Sequence, residues 1–173
     1  MGKYLFFDID GTLLSDVTHT VPQSAIEAIK KAKENGHHCF FCTGRSYFMT
    51  KEISFTGIED AIIANGAAVI RDGKPELQKI ISEDVVKKTL ELIEELGGGY
   101  QIIDWKYGYQ NPYTHAMFEE QFKKKFDEPV EEVFKKKSMK TMAETENNPI
   151  LKIDATFDTV EAAESFMKAL DPS

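Results

Sequence analysis

The feature that most constrains this chain is its beginning. Residues 3–7 form a short apolar run without polar alternation, and the run ends in Asp8-Ile9-Asp10-Gly11-Thr12. A run of this kind reads as a strand covered on both faces, as in a parallel sheet. The pattern recurs. Residues 38–42 read as a second such strand followed by Thr43-Gly44-Arg45, and residues 61–64 as a third followed by Asn65-Gly66. Between the first two, residues 22–35 predict a helix. Pro22 suits its first position, Ala25, Ile26, Ile29 and Ala32 line one side, and Asn35-Gly36 closes it. Residues 45 to 55 read as a weaker helix, and residues 67–71 and 76–81 flank Asp72-Gly73, a hairpin signal. Strand, helix, strand, helix, strand predicts an α/β fold: a parallel sheet with crossover helices.

The character changes near residue 82. Ser82-Glu83-Asp84 predicts a helix start, with Val85, Val86, Leu90, Ile93 and Leu96 as the buried stripe and Gly97-Gly98-Gly99 as the stop. Residues 100–104 and 106–110 read as paired strands, and residues 112–126 as a helix. Residues 129–142 read as a further short helix, 150–157 as an alternating strand and 159–170 as an amphipathic helix. This second section is α+β. The expected organisation is a core part over residues 1–81 and a second domain over 82–173.

The net charge of −8 argues against nucleic acid as a partner, because an acidic chain repels phosphate backbones at long range. The lysine runs 123–125 and 135–137 read as solvated helix faces. No apolar run approaches the ~20 residues that span a bilayer, and the N-terminus lacks a signal-peptide pattern. A cytoplasmic protein without a membrane partner is the expectation. Cys39 and Cys42 form a C-x-x-C, but strand positions three apart face opposite ways, so two buried, reduced cysteines are expected.

The chemistry gathers at the three strand ends, because open α/β sheets bind ligands outside the carboxyl ends of their strands. Two aspartates two residues apart repel each other unless a cation sits beside them, and Mg²⁺ suits carboxylate oxygens. With that charge compensated, Asp8 can attack phosphorus as a nucleophile while Asp10 moves the proton of the leaving oxygen or of water. Both aspartates are candidate metal ligands. Gly11 and Thr12 would let main-chain N–H groups approach phosphate oxygens. Thr43 can donate a hydroxyl hydrogen bond to the same group, and Gly44 frees the backbone beside it. Arg45 reads either as a phosphate clamp or as a helix-surface charge, and Asn65-Gly66 either as a substrate contact or as an ordinary turn.

Together these motifs resemble the haloacid dehalogenase (HAD) superfamily, in its Cof-type sugar-phosphatase branch with an α/β cap. The resemblance rests on Phe6-Phe7-Asp8-Ile9-Asp10-Gly11-Thr12-Leu13-Leu14, Phe41-Cys42-Thr43-Gly44-Arg45 and Ile63-Ala64-Asn65-Gly66-Ala67. It implies a Rossmann-type core with an α+β cap from residue 82 that closes over the site and selects the substrate. It implies a Mg²⁺-dependent phosphatase of small phosphorylated metabolites, with an aspartyl-phosphate on Asp8 and Mg²⁺ on Asp8 and on the main-chain carbonyl of Asp10. The family pattern also has a lysine after the cap and a G-D-x-x-x-D element, and neither matches within these 173 residues; Lys152 lies in cap-like sequence. That departure predicts an incomplete core sheet, an open strand edge and self-association as one outcome. It also keeps two alternatives: a truncated or degenerate form that binds phosphate or a partner chain, and a phosphomutase using the same nucleophile.

Overall fold

The computed structural model describes residues 2–15, 17–146 and 148–170; Met1, Asp16, Asn147 and residues 171–173 lie outside the described residues. The chain divides into two compact units, Met1–Lys79 and Ile80–Ser173.

The first unit is built on a five-stranded sheet in the order β1-β2-β3-β4-β5. Strands β1 (Tyr4–Phe7), β2 (His38–Cys42) and β3 (Asp60–Ile63) are parallel, with Phe7 opposite Phe41 and Cys42 opposite Ile62. This register brings the C-terminal ends of the three strands to one edge. Strands β4 (Ala68–Arg71) and β5 (Lys74–Gln78) add an antiparallel hairpin through Asp72-Gly73, both in left-handed conformation. Helix α1 (Gln23–Glu34) makes the crossover from β1 to β2 and ends at Asn35, before a left-handed Gly36. The expected helix after Arg45 is instead one α-turn, α2 (Tyr47–Thr50), continued by a 3₁₀ segment, Lys51–Thr56, that breaks at Ile53. Thr50, Ile53, Ser54 and Thr56 give this stretch weak helix propensity.

Two expectations for this unit change. Strand β1 is not covered on both faces: Tyr4 and Phe6 are 54% and 55% exposed. An apolar run reports β-preference, whereas two-sided burial needs a covering layer on each face, and β1 lies at the sheet's edge. Tyr4 and Phe6 shelter instead against β2, with rings near His38 and Phe40. The cysteines also part company. Cys39 is buried, but Cys42, the last residue of β2, is exposed where the strand gives way to the loop.

The second unit has a four-stranded sheet in the order β8-β7-β6-β9. Helix α3 (Glu83–Glu95) leads into β6 (Gly99–Ile103), which pairs antiparallel with β7 (Gly108–Gln110) and with β9 (Lys152–Thr156). Helices α4 (Pro112–Lys125) and α5 (Val130–Lys136) follow β7, and α6 (Val160–Leu170) follows β9. Ile93, Tyr100, Ile102, Tyr109, Ile150 and Phe166 form the main core, and Phe122, Val133 and Phe134 a smaller one beneath α4 and α5. Val85 departs from the predicted stripe at 50% exposure, and Ser82 holds the N-cap position of α3 without a side-chain bond. Residues 139–141, expected within a helix, form β8 (Met139–Thr141), parallel to β7. The left-handed Ser138 ends α5 and turns the chain into that strand. Among the described residues no helix is long and apolar enough to cross a membrane.

Candidate active site

The site sits on the first unit, where β1, β2 and β3 end. The loop after β1 folds tightly on itself. Gly11, at φ 71°, donates its N–H to Leu14 O at 3.0 Å, and Leu14 N–H returns to Ile9 O at 2.8 Å. The left-handed φ is why a glycine stands there. Ile9 is fully buried and pins the loop, so Asp8 and Asp10, on either side of it, both face outward and are exposed. The N–H groups of Gly11 and Thr12 are used inside the loop, Thr12 N–H reaching Ile9 O at 3.3 Å. In this structure Gly11 makes the turn of the loop.

The two aspartates differ in their surroundings. Among the described residues none holds the Asp8 carboxylate in a hydrogen bond or ion pair. Asp10 is gripped by Arg45, whose Nη2 donates to Oδ1 at 2.7 Å and Nε to Oδ2 at 2.9 Å. This two-pronged geometry is the strong form of an arginine–carboxylate pair. It holds the Asp10 carboxyl below the usual aspartate range, chiefly through the hydrogen bonding; partial burial opposes and the nearby positive charge assists. Arg45 is in turn seated by its Nη1 against Met49 O and Glu52 Oε2, both at 3.4 Å. Sequence reasoning missed Glu52. The available signal was its spacing, two helical turns on from Arg45.

Thr43 is 6% exposed. Its N–H extends the sheet ladder to Ile62 O at 3.0 Å, and its Oγ1 accepts the N–H of Arg45 at 3.1 Å. Because Oγ1 accepts there, the hydroxyl hydrogen is left to donate elsewhere. Arg45 O accepts from Ala64 N–H at 2.8 Å, which stitches the second and third loops together. Ala64, Asn65 and Gly66 are all left-handed, with φ of 50°, 56° and 90°. Asn65 is turned against Gly44: a β-carbon at position 44 would lie 2.6 Å from Asn65 Oδ1. The structure thus joins Asp10, Thr43, Gly44, Arg45, Ala64 and Asn65 through direct contacts, with Asp8 beside them at the end of β1.

A hydrated divalent cation suits this donor set. Among the described residues no three His, Cys, Asp or Glu side chains cluster, and both Asp10 oxygens are engaged by Arg45. The exposed Asp8 carboxylate and the Asp10 main-chain carbonyl remain as hard oxygen donors. Mg²⁺ keeps several waters and is commonly bound through only one or two carboxylates, so these residues fit it.

The acidic pair, the buried threonine and the arginine thus gather at the strand ends, where open α/β sheets bind ligands. Residues 5–173 match the haloacid dehalogenase-like hydrolase family, and the chain belongs to it. YkrA of Bacillus subtilis strain 168, which carries a phosphatase name, is 32% identical over 95 residues, covering 54% of this chain and 37% of that protein. The phosphoglycolate phosphatase of Methanospirillum hungatei JF-1 is 30% identical over 135 residues, or 77% of this chain and 55% of that one. Among solved structures, the HAD subclass IIB sugar phosphatase BT4131 shares the fold, with a TM-score of 0.68 and 24% identity over 97% of this chain and 63% of its own. The chain therefore spans between about a third and somewhat over half of the length of the curated relatives it matches.

Proposed function

We propose that this chain carries the nucleophile side of a Mg²⁺-dependent phosphatase acting on small phosphorylated metabolites of the sugar-phosphate class. Residues 1–81 would be the N-terminal part of the catalytic core and residues 82–173 the cap. The observation that carries the reading is the pairing of a free carboxylate, Asp8, with one clamped by Arg45, Asp10, in the single loop after β1.

In the first half-reaction an Asp8 oxygen attacks phosphorus, giving an aspartyl-phosphate as the ester P–O bond breaks. The leaving oxygen takes its proton from the Asp10 carboxyl group. In the second, water attacks the same phosphorus and gives its proton to the Asp10 carboxylate. The bond to Asp8 then breaks, releasing inorganic phosphate and restoring both aspartates. Thr43 donates its hydroxyl to a phosphoryl oxygen. Bound Mg²⁺ would supply positive charge beside Asp8 and the phosphoryl oxygens. The Arg45 fork favours the Asp10 carboxylate, the form that receives the proton of water in the second half-reaction; for the first, Asp10 takes up a proton from solvent. Gly66 and Asn65 shape the rim beside Arg45.

The experiment is phosphate release from an aryl phosphate and a panel of sugar phosphates, with and without Mg²⁺, by the wild type and Asp8→Asn. The proposal expects Mg²⁺-dependent release that falls to the buffer background in Asp8→Asn. Undiminished release by that variant would refute the role of Asp8.

A further inference from the structure

Gly44 has no backbone reason to be glycine, because it is not among the left-handed residues of the chain. What a side chain there would meet is Asn65, whose Oδ1 and Cγ would lie 2.6 Å and 3.7 Å from a β-carbon at position 44, so that Asn65 would have to give way. Asn65 reaches that place because residues 64–66 run left-handed three times in succession, a conformation that a buried alanine such as Ala64 adopts only when its surroundings impose it. The imposed turn has two holds on the second loop. One is the main-chain bond from Ala64 N–H to Arg45 O, and the other is Asn65 against Gly44. The second loop carries the Thr43 hydroxyl and the Arg45 fork on Asp10.

We infer that Asn65 is a positioning residue: it sets the Thr43–Arg45 turn by packing against Gly44, and Gly44 exists to admit it. The inference rests on the reading of that turn as a phosphoryl-binding element. It adds a positioning role to the two sequence readings of Asn65, a substrate contact or an ordinary turn. A displacement of about 1 Å in a binding element can cost up to ~100-fold, so the contact is placed where small errors are expensive.

The test is a double-mutant cycle of Gly44→Ala, Asn65→Gly and the pair, read as affinity for inorganic phosphate at fixed Mg²⁺ and as melting temperature. Glycine at 65 removes the side chain without adding left-handed strain. Asn65→Gly should weaken phosphate binding several-fold, and Gly44→Ala by about tenfold or more, with the second loss largely absent when Asn65 is already glycine. The melting temperatures should show the same non-additivity. If phosphate binds but Asn65→Gly leaves the affinity unchanged, or Gly44→Ala costs the same in both backgrounds, the positioning role is overturned while the phosphoryl reading stands. If the wild type binds no phosphate and the melting temperatures still couple, the phosphoryl reading fails and the contact is structural only, which also overturns the positioning role.

Discussion

Arg45 and Asp10 lie on different strand-end loops, 35 residues apart, and meet through two parallel hydrogen bonds of 2.7 and 2.9 Å. The pair makes the two loops one object. The Arg45 side chain is 13% exposed and that of Asp10 57%, so the arginine is the fixed partner and the carboxylate the accessible one. That asymmetry suits the proton transfer proposed for Asp10.

The fork depresses the Asp10 pKa, mainly by hydrogen bonding from Arg45. A carboxyl depressed on folding stabilises the protein above its unfolded value of about 3.9, and that contribution is lost as pH falls through the folded value. Arg45→Gln should therefore return Asp10 to the ordinary aspartate range in an NMR titration of its carboxyl carbon. It should also remove the corresponding step in stability below about pH 4. The exposure of Asp10 limits that step to about 1 kcal/mol or less.

Thr43 Oγ1 accepts the Arg45 N–H in a nearly buried position. Thr43→Val keeps the shape and removes the acceptor, leaving that N–H short of a partner at a cost of about 1–3 kcal/mol. Thr43→Ser should retain most of the stability. Denaturant unfolding of the two variants separates the hydroxyl from the methyl group.

Asp104 is fully buried, and its carboxylate accepts from Lys106 N–H and Tyr107 N–H at 2.6 Å each, Asn148 Nδ2 at 2.7 Å and Tyr109 OH at 3.2 Å. It closes the turn between β6 and β7 and anchors the segment ahead of β9. Asp104→Ala strands several donors at once and should cost about 3 kcal/mol or more, read as a fall in the melting temperature.

Tyr100 is buried against the core of the second unit and donates to Glu94 Oε1 at 3.0 Å. Burial first, and the Glu94 bond and charge next, push its phenol up to about 12. A raised pKa means that the neutral phenol is favoured on folding. Its contribution is complete below the unfolded value of about 10 and is lost as pH rises through the folded value. An ultraviolet alkaline titration should show late-ionising tyrosines, Tyr109 and Tyr113 being raised as well, and Tyr100→Phe should remove the one near 12.

What was legible in the sequence was local. Runs ending in polar clusters marked β1, β2 and β3, Asp72-Gly73 marked the hairpin, and the stripe at Val86, Leu90 and Ile93 marked α3. What was not legible depended on partners far along the chain. The exposure of Tyr4 and Phe6 follows from the place of β1 at the sheet edge, which no periodicity encodes. Residues 139–141 became a strand because β7 offered an edge, overriding a helical pattern. The candidate residues at the strand ends were readable as a set. The Arg45 fork on Asp10 and the seat of Asn65 on Gly44 were not, because each is a tertiary contact between loops.

The central claim is that Asp8 is the group that takes the phosphoryl. The most direct measurement is rapid acid quench of the protein with a phosphorylated substrate and Mg²⁺, followed by peptide mass spectrometry. The peptide containing Asp8 should gain the mass of one phosphoryl group, on Asp8, and Asp8→Asn should show neither this adduct nor turnover. Turnover by the wild type with no adduct on Asp8, together with turnover by Asp8→Asn, would contradict it.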